Sequence, residues 1–199
     1  MKFKELKTDN ELEVYRHAIH HDIDVLFPLD YLKQGRIFGY FNRKGEIVGG
    51  LALITKKPFR VLDSIPNFDG LSIDPQLKHT AEVTGLWLSA ENRKTFTSVK
   101  YWLNVLFKLM TCKKKYFVYA YSSKKEHLQR IYSRARPIVL FRGETKMLPG
   151  MPSPDHESVE VVARSNFYRH FITNTDFFIQ KLRKRKYNRK YSTSSKELQ

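Results

Sequence analysis

The sequence predicts an α/β layer architecture: a mixed sheet flanked by helices, with a C-terminal helical extension and a basic tail. Three observations carry this. Strand-like and helix-like stretches alternate along the chain, as they do when helices cover a sheet. The run YFVYAY (116–121) is aromatic or small and apolar throughout, as in a strand buried on both faces. The stretch 81–110 reads as a buried strand, a charged turn and then an amphipathic helix.

Taken in order, residues 9–27 (DNELEVYRHAIHHDIDVLF) place Leu12, Tyr15, Ile19, Ile23 and Leu26 at helical spacing, with Asp9 as the cap. Residues 36–55 predict a hairpin, in which two apolar strands flank NRKG and Gly45 supplies a positive-φ turn position. Gly49–Gly50 inside the second strand points to a bulge or a close neighbouring backbone. PFRVLDSIP adds a short extended piece bounded by Pro58 and Pro66, and 68–80 reads as a loop. EVTGLWLS (82–89) is strand-like and FTSVKYWLNVLFKLMTCKK (96–114) helical. KKEHLQRIYSRA forms a short helix and PIVLFRGETKML a final strand; MPSPD breaks the chain at 151–155, and 159–186 reads as largely helical. The domain expected spans residues 1–150, with a helical extension over 151–180 and a flexible tail over 181–199.

At 199 residues the chain can bury a core, and 41% hydrophobic content argues for a folded body rather than a disordered one. The longest apolar runs, such as IVGGLALI, are too short to span a bilayer, and the N-terminus lacks a secretory pattern. One cysteine, Cys112, excludes an internal disulfide and a cysteine-built metal site. A cytoplasmic protein is expected. The net charge is +16, of which residues 181–199 supply +7 from eight Lys/Arg and one acid. Such a tail is a solvated end or, through residues 181–190, a contact for nucleic acid or another anionic surface. Tyr187 and Tyr191 would add stacking platforms.

The order helix, hairpin, strand, charged turn, long helix, strand, short helix ending in tyrosine, strand resembles the GNAT acyltransferase fold. EVTGLWLSAENRK is similar to the strand and turn of the branch holding acyl-homoserine-lactone synthases and N-acyl amino acid synthases. HLQRIYSRARPIVLFRGE is similar to that family's late helix and strand. The resemblance covers roughly residues 10–148. It implies that the strand Val83–Ser89 splays from Tyr116–Tyr121 and pairs its backbone, at Leu86, Leu88 and Ser89, with the pantetheine arm of acyl-CoA or acyl carrier protein. It also implies a pyrophosphate on the turn Asn92–Ser98, held by Arg93, Lys94, Thr95, Thr97 and Ser98, where free amides, charge and hydroxyls coincide. Glycine usually lines such a loop, because it lets backbone approach phosphate. Here Thr95, Phe96 and Thr97 stand in its place.

Acyl transfer to an amine needs a base for the amine proton and an acid for the leaving thiolate. Glu82, at the start of the central strand, is the base candidate, and its bland reading is a strand-edge glutamate. Tyr132 stands where the family's thiolate-protonating tyrosine lies, or else packs its ring on the sheet. Trp87 and Trp102 read as core and wall residues. His20–His21, followed by Asp22 and Asp24, could suggest a metal, but adjacent residues on a helix point about 100° apart and no further His or Cys cluster completes a shell, so no metal is expected. Cys112 reads as a buried thiol rather than a nucleophile.

Three functions remain open at this point. One is an N-acyltransferase using acyl-CoA or the acidic acyl carrier protein, which a basic surface would steer. Another is a non-catalytic protein of the same shape that binds RNA, a ribosome or an acidic protein. The third places residues 167–190, with Phe167, Phe171, Phe177 and Phe178, on a membrane surface.

Overall fold

The computed structural model describes residues 2–68, 77–93 and 96–173. Its strands are β1 (Lys2–Leu6), β2 (Gly35–Phe41), β3 (Ile47–Ile54), β4 (Thr80–Leu88), β5 (Tyr116–Ser122), β6 (Ile138–Glu144) and β7 (His156–Ala163). They form one sheet in the order β1-β2-β3-β4-β5-β7-β6. Every neighbouring pair is antiparallel except β4 and β5.

The helices are α1 (Asp9–Ile23), α2 (Leu29–Leu32), α3 (Arg60–Asp63), α4 (Ala90–Arg93), α5 (Phe96–Thr111), α6 (Glu126–Tyr132) and α7 (Arg164–Thr173). Helices α1 to α3 cover one face of the sheet, where Tyr15, Ile19 and Leu32 pack on Ile37, Ile54 and Val118. On the other face Tyr101, Val105 and Leu109 of α5 pack on Phe38, Leu53 and Phe117.

Helix α1 is capped by Thr8 rather than Asp9. The Glu11 amide donates to Thr8 Oγ1 at 3.3 Å while the Thr8 amide donates to Glu11 Oε2 at 3.2 Å, and this reciprocal pair satisfies two orphan donors. The helix ends at Asp24 in a left-handed conformation, so Leu26 lies beyond it. The hairpin forms as expected, with φ +84° at Gly45.

The Gly49–Gly50 pair permits the close approach that the sequence called for, though the neighbour is a ring. A Cβ added at Gly50 would lie 2.3 Å from the Tyr15 ring. A bulge lies beside the pair on β3, where Tyr40 pairs with Gly49 and Phe41 with Ile47 and Val48 is extra, and another on the facing strand: Gly50 pairs with Trp87 and Ala52 with Thr84, which leaves Gly85 and Leu86 opposite Leu51 alone. Gly85 takes φ +57°, and Tyr15 donates to its carbonyl at 2.9 Å.

Three sequence expectations are corrected. Residues 60–63 are helical, not extended, with Val61 and Leu62 buried against the sheet. The helix expected over 159–186 begins only at Arg164. Before it, β7 runs between β5 and β6 and buries Val159 and Val162 on opposite faces. The N-terminal strand β1 escaped notice because its five residues, KFKEL, offer only a short alternation. Residues 174–199, which include the expected tail over 181–199, and most of the 68–80 loop lie outside the described residues.

Candidate active site

The parallel pairing of β4 with β5 lasts for three residues: Thr80 opposite Tyr116, Ala81 opposite Phe117 and Glu82 opposite Val118. Beyond that rung β4 stays zipped to β3 through Leu88, and β5 stays zipped to β7 through Ser122. The two strands therefore diverge, and between them the inner edge of β4 has no strand partner among the described residues. An unpaired strand edge is a row of amide donors and acceptors, able to take up an extended amide-bearing chain.

Glu82 stands on the last shared rung, at the apex of this wedge. It is 1% exposed. Tyr31 of α2 donates to its Oε1 at 2.5 Å, while Oε2 has no hydrogen-bond partner. The amides of Arg60 and Val61, in the first turn of α3, approach the carboxyl without closing a full bond to Oε2. Burial raises its pKa to about 8, and the Tyr31 hydroxyl, these amides and the Arg60 charge only partly oppose that. Arg60 lies over the rings of Phe27 and Tyr31, with its guanidinium carbon 5.7 Å and 5.4 Å from their centroids.

Tyr132 ends α6 on the opposite face. Its ring lies between those of Tyr119 and Tyr121, with centroids 4.9 Å and 5.0 Å away, over the diverging half of β5. Those two tyrosines donate to Glu160 of β7 at 3.0 Å and 2.7 Å, and Ser158 donates to it at 3.0 Å. Burial, then the neighbouring Tyr121 and Glu160, pushes the Tyr132 hydroxyl up to about 12, so it keeps its proton at neutral pH.

The overall fold is shared with solved structures. An N-acyl amino acid synthase, FeeM, from uncultured soil microbes superposes with a TM-score of 0.55, covering 82% of this chain and 92% of its own at 13% identity. This is the GNAT fold. A spermidine N-acetyltransferase from Vibrio cholerae matches with a TM-score of 0.54 over 83% of this chain and 95% of its own, at 9% identity. A putative acetyltransferase, yncA, from Salmonella typhimurium, solved with its cofactor acetyl-CoA, matches at 0.50 over 82% and 94%, at 13% identity. No family model matches the sequence. No curated protein matches it either.

The segment after β4, where the sequence resemblance implied a phosphate site, is built without glycine. Ser89 ends the strand and caps α4: its carbonyl accepts the amides of Asn92 at 2.9 Å and Arg93 at 3.2 Å, and its hydroxyl accepts from the Asn92 side chain at 2.8 Å. Arg93 is exposed, and its Nε donates to the Leu88 carbonyl at 2.6 Å. Ser98 is buried, inside rather than on the surface of the turn. The Thr97 carbonyl accepts from Tyr40 at 3.4 Å. Lys94 and Thr95 lie outside the described residues. The free edge of β4 thus suits a pantetheine arm, whereas among the described residues of the turn Arg93 alone offers an exposed charge to phosphate.

Several residues around the wedge were not legible in the sequence. Tyr31 and Arg60 come from short helical turns whose contact with Glu82 is set by packing. Glu160 was missed because its segment reads as helix. Its one signal is a lone acid among valines, in VEVVA.

Proposed function

We propose that this GNAT-fold chain is an N-acyltransferase, which moves an acyl group from the thioester of acyl-CoA or acyl carrier protein to an amine by direct attack. The single observation that supports it best is the wedge itself, with a buried carboxyl at its apex and an unpaired strand edge along one side. The donor's amide-bearing arm lies along β4, so that its thioester reaches the apex. Glu82, as the carboxylate, takes a proton from the amine as the new C–N bond forms. Tyr132, across the sheet on the β5 side, gives its phenolic proton to sulfur as the C–S bond breaks. One proton enters at Glu82 and one leaves from Tyr132, so solvent exchange between them resets the site. The pKa directions suit these roles: a base held near 8 ionises close to neutral pH, and an acid held near 12 stays protonated there.

The test is calorimetric titration with acetyl-CoA, a long-chain acyl-CoA and an acylated acyl carrier protein, followed by thiol-release assays with a panel of amines. Binding of at least one donor and amine-dependent thiol release are expected. Tyr132→Phe should lower the rate by about 10²-fold with an alkyl thioester and by much less with an aryl thioester, whose sulfur leaves without a proton. A chain that binds no donor would leave the second reading: a non-catalytic protein of GNAT shape that holds RNA or an acidic protein through its basic surface. The glycine-free turn and the +7 tail favour that alternative.

A further inference from the structure

On the sheet face away from α1, beside α6, lie α5, the turn that follows it and α7. Over residues 96–115 and 164–173 these three carry seven Lys/Arg and no Asp or Glu. The two helices are joined at their ends: Tyr168 donates to the Met110 carbonyl at 3.0 Å, and Arg164 to the Cys112 carbonyl at 2.7 Å. Through the middle of this cationic surface runs an apolar stripe. Leu103, Phe107 and Met110 are 51%, 58% and 44% exposed, and their spacing of four and three residues puts them on one face of α5. The inward face of the same helix is already satisfied by Tyr101, Val105 and Leu109 in the core, so the stripe is not needed for folding. Lys108 lies over the Phe107 ring at 5.8 Å and over the buried Phe38 at 4.8 Å, so its stem folds from the stripe toward the edge of the sheet. Glu5, the acid whose charge meets Lys108 from the neighbouring sheet edge, is held bidentate by Arg36 at 2.9 Å and 2.7 Å.

We propose that this layer is a docking surface for an anionic lipid bilayer, with α5 lying in the plane of the interface. Leu103, Phe107 and Met110 would enter the boundary between headgroups and acyl chains, and the surrounding lysines and arginines would meet the lipid phosphates. Two features favour a bilayer over other anions. Nucleic acid offers nothing to Leu and Met side chains, whose exposure then stays uncompensated. The charge of α5, its turn and α7, with no acid among residues 96–115 and 164–173, fits a field of phosphates rather than one ion pair. The proposal does not depend on acyl transfer. From Thr173 the sequence continues into the basic residues 181–199, which add charge to the same end of the chain.

The experiment is flotation of the full-length protein with vesicles of phosphatidylcholine alone and of equimolar phosphatidylcholine and phosphatidylglycerol, at low and physiological salt. Flotation with the anionic vesicles is expected, and the double variant Leu103→Ser/Phe107→Ser should weaken it about tenfold or more, since its loss removes inserted apolar area but no charge. Equal flotation of variant and parent would overturn the proposal by showing that charge, from the tail or elsewhere, suffices. Absence of flotation, or stripe-dependent binding to RNA or to a soluble acidic protein in its place, would overturn it as well. A second measurement covers the case of a misfolded variant. Phe107→Cys carrying an environment-sensitive fluorophore should shift to the blue on the anionic vesicles, with the parent chain, whose Cys112 is buried, as the labelling control. Unchanged emission counts against insertion.

Discussion

Glu82 is buried and accepts one good hydrogen bond, from Tyr31, while its second oxygen has no protein partner. The fold holds such a carboxyl more readily as the neutral acid, which is why its pKa stands near 8 against 4.5 for a free glutamate. The folded state therefore binds one more proton than the unfolded chain between these two values. Its stabilising share is complete below about 4.5 and is lost as pH climbs through about 8. Glu82→Gln should accordingly gain stability relative to the parent between pH 5 and pH 9, on the order of a few kcal/mol, read from urea unfolding at the two pH values. The same titration has the opposite consequence for catalysis, because the base works only when ionised. In the N-acyltransferase reading kcat/KM rises with pH to a plateau above about 8, and Glu82→Gln lowers it by about 10²- to 10⁴-fold at the plateau while the chain still binds its donor. A flat pH profile, or a fully active Glu82→Gln, would remove Glu82 from the chemistry.

At the scale of elements, the bulge in β4 is what re-aims the strand beside the wedge. It puts two residues opposite one on β3 and turns Trp87 toward the α1 side and Leu86 and Leu88 toward α5. Gly85 makes this conformation accessible. Its φ is +57°, and an added Cβ would come within 2.6 Å of the Tyr15 hydroxyl that bonds its own carbonyl. Gly85→Ala should cost about 1–3 kcal/mol, seen as a lower denaturant midpoint, and should weaken donor binding because the free edge of β4 is displaced. A substitution that leaves both unchanged would show that the bulge tolerates a side chain. The need for glycine here could not be read from TGLW, since the positive φ comes from pairing with β3 and from Tyr15, seventy residues earlier in the chain. The fate of β7 is similar. SVEVVARS passes from strand into helix without Gly or Pro, so no local punctuation marks the change, and only pairing on both sides with β5 and β6 makes 156–163 a strand.

For the whole molecule the dominant property is charge. Deleting residues 181–199 removes eight Lys/Arg and one acid and lowers the net charge from +16 to +9. If the tail binds RNA by counterion release, this deletion should weaken RNA binding and flatten its dependence on salt, while leaving any thermal shift by acetyl-CoA intact. Filter binding across a salt series, beside thermal unfolding with and without acetyl-CoA, separates the two effects. Loss of the acetyl-CoA shift on deletion would mean that the tail belongs to the donor site. Among the described residues no helix is long and apolar enough to cross a membrane. Surface docking through α5 therefore adds to the molecule's charge a direction that the net value alone does not have.

The sequence by itself determined α1, the β2–β3 hairpin, α5 and β5, because each carries its own period, turn residue or apolar run within a span of twenty residues. It also singled out Glu82 and Tyr132, through the resemblance of the stretches that hold them. The same resemblance implied that β4 splays from β5, but only the tertiary structure placed the parting after three rungs, set Glu82 there with Tyr31 and Arg60, and gathered Tyr119 and Tyr121 on Glu160 under Tyr132. The physical reason is the range of the interactions. Local propensity and periodicity act between near neighbours in the chain, whereas burial and strand pairing join residues that are near only once the chain has folded.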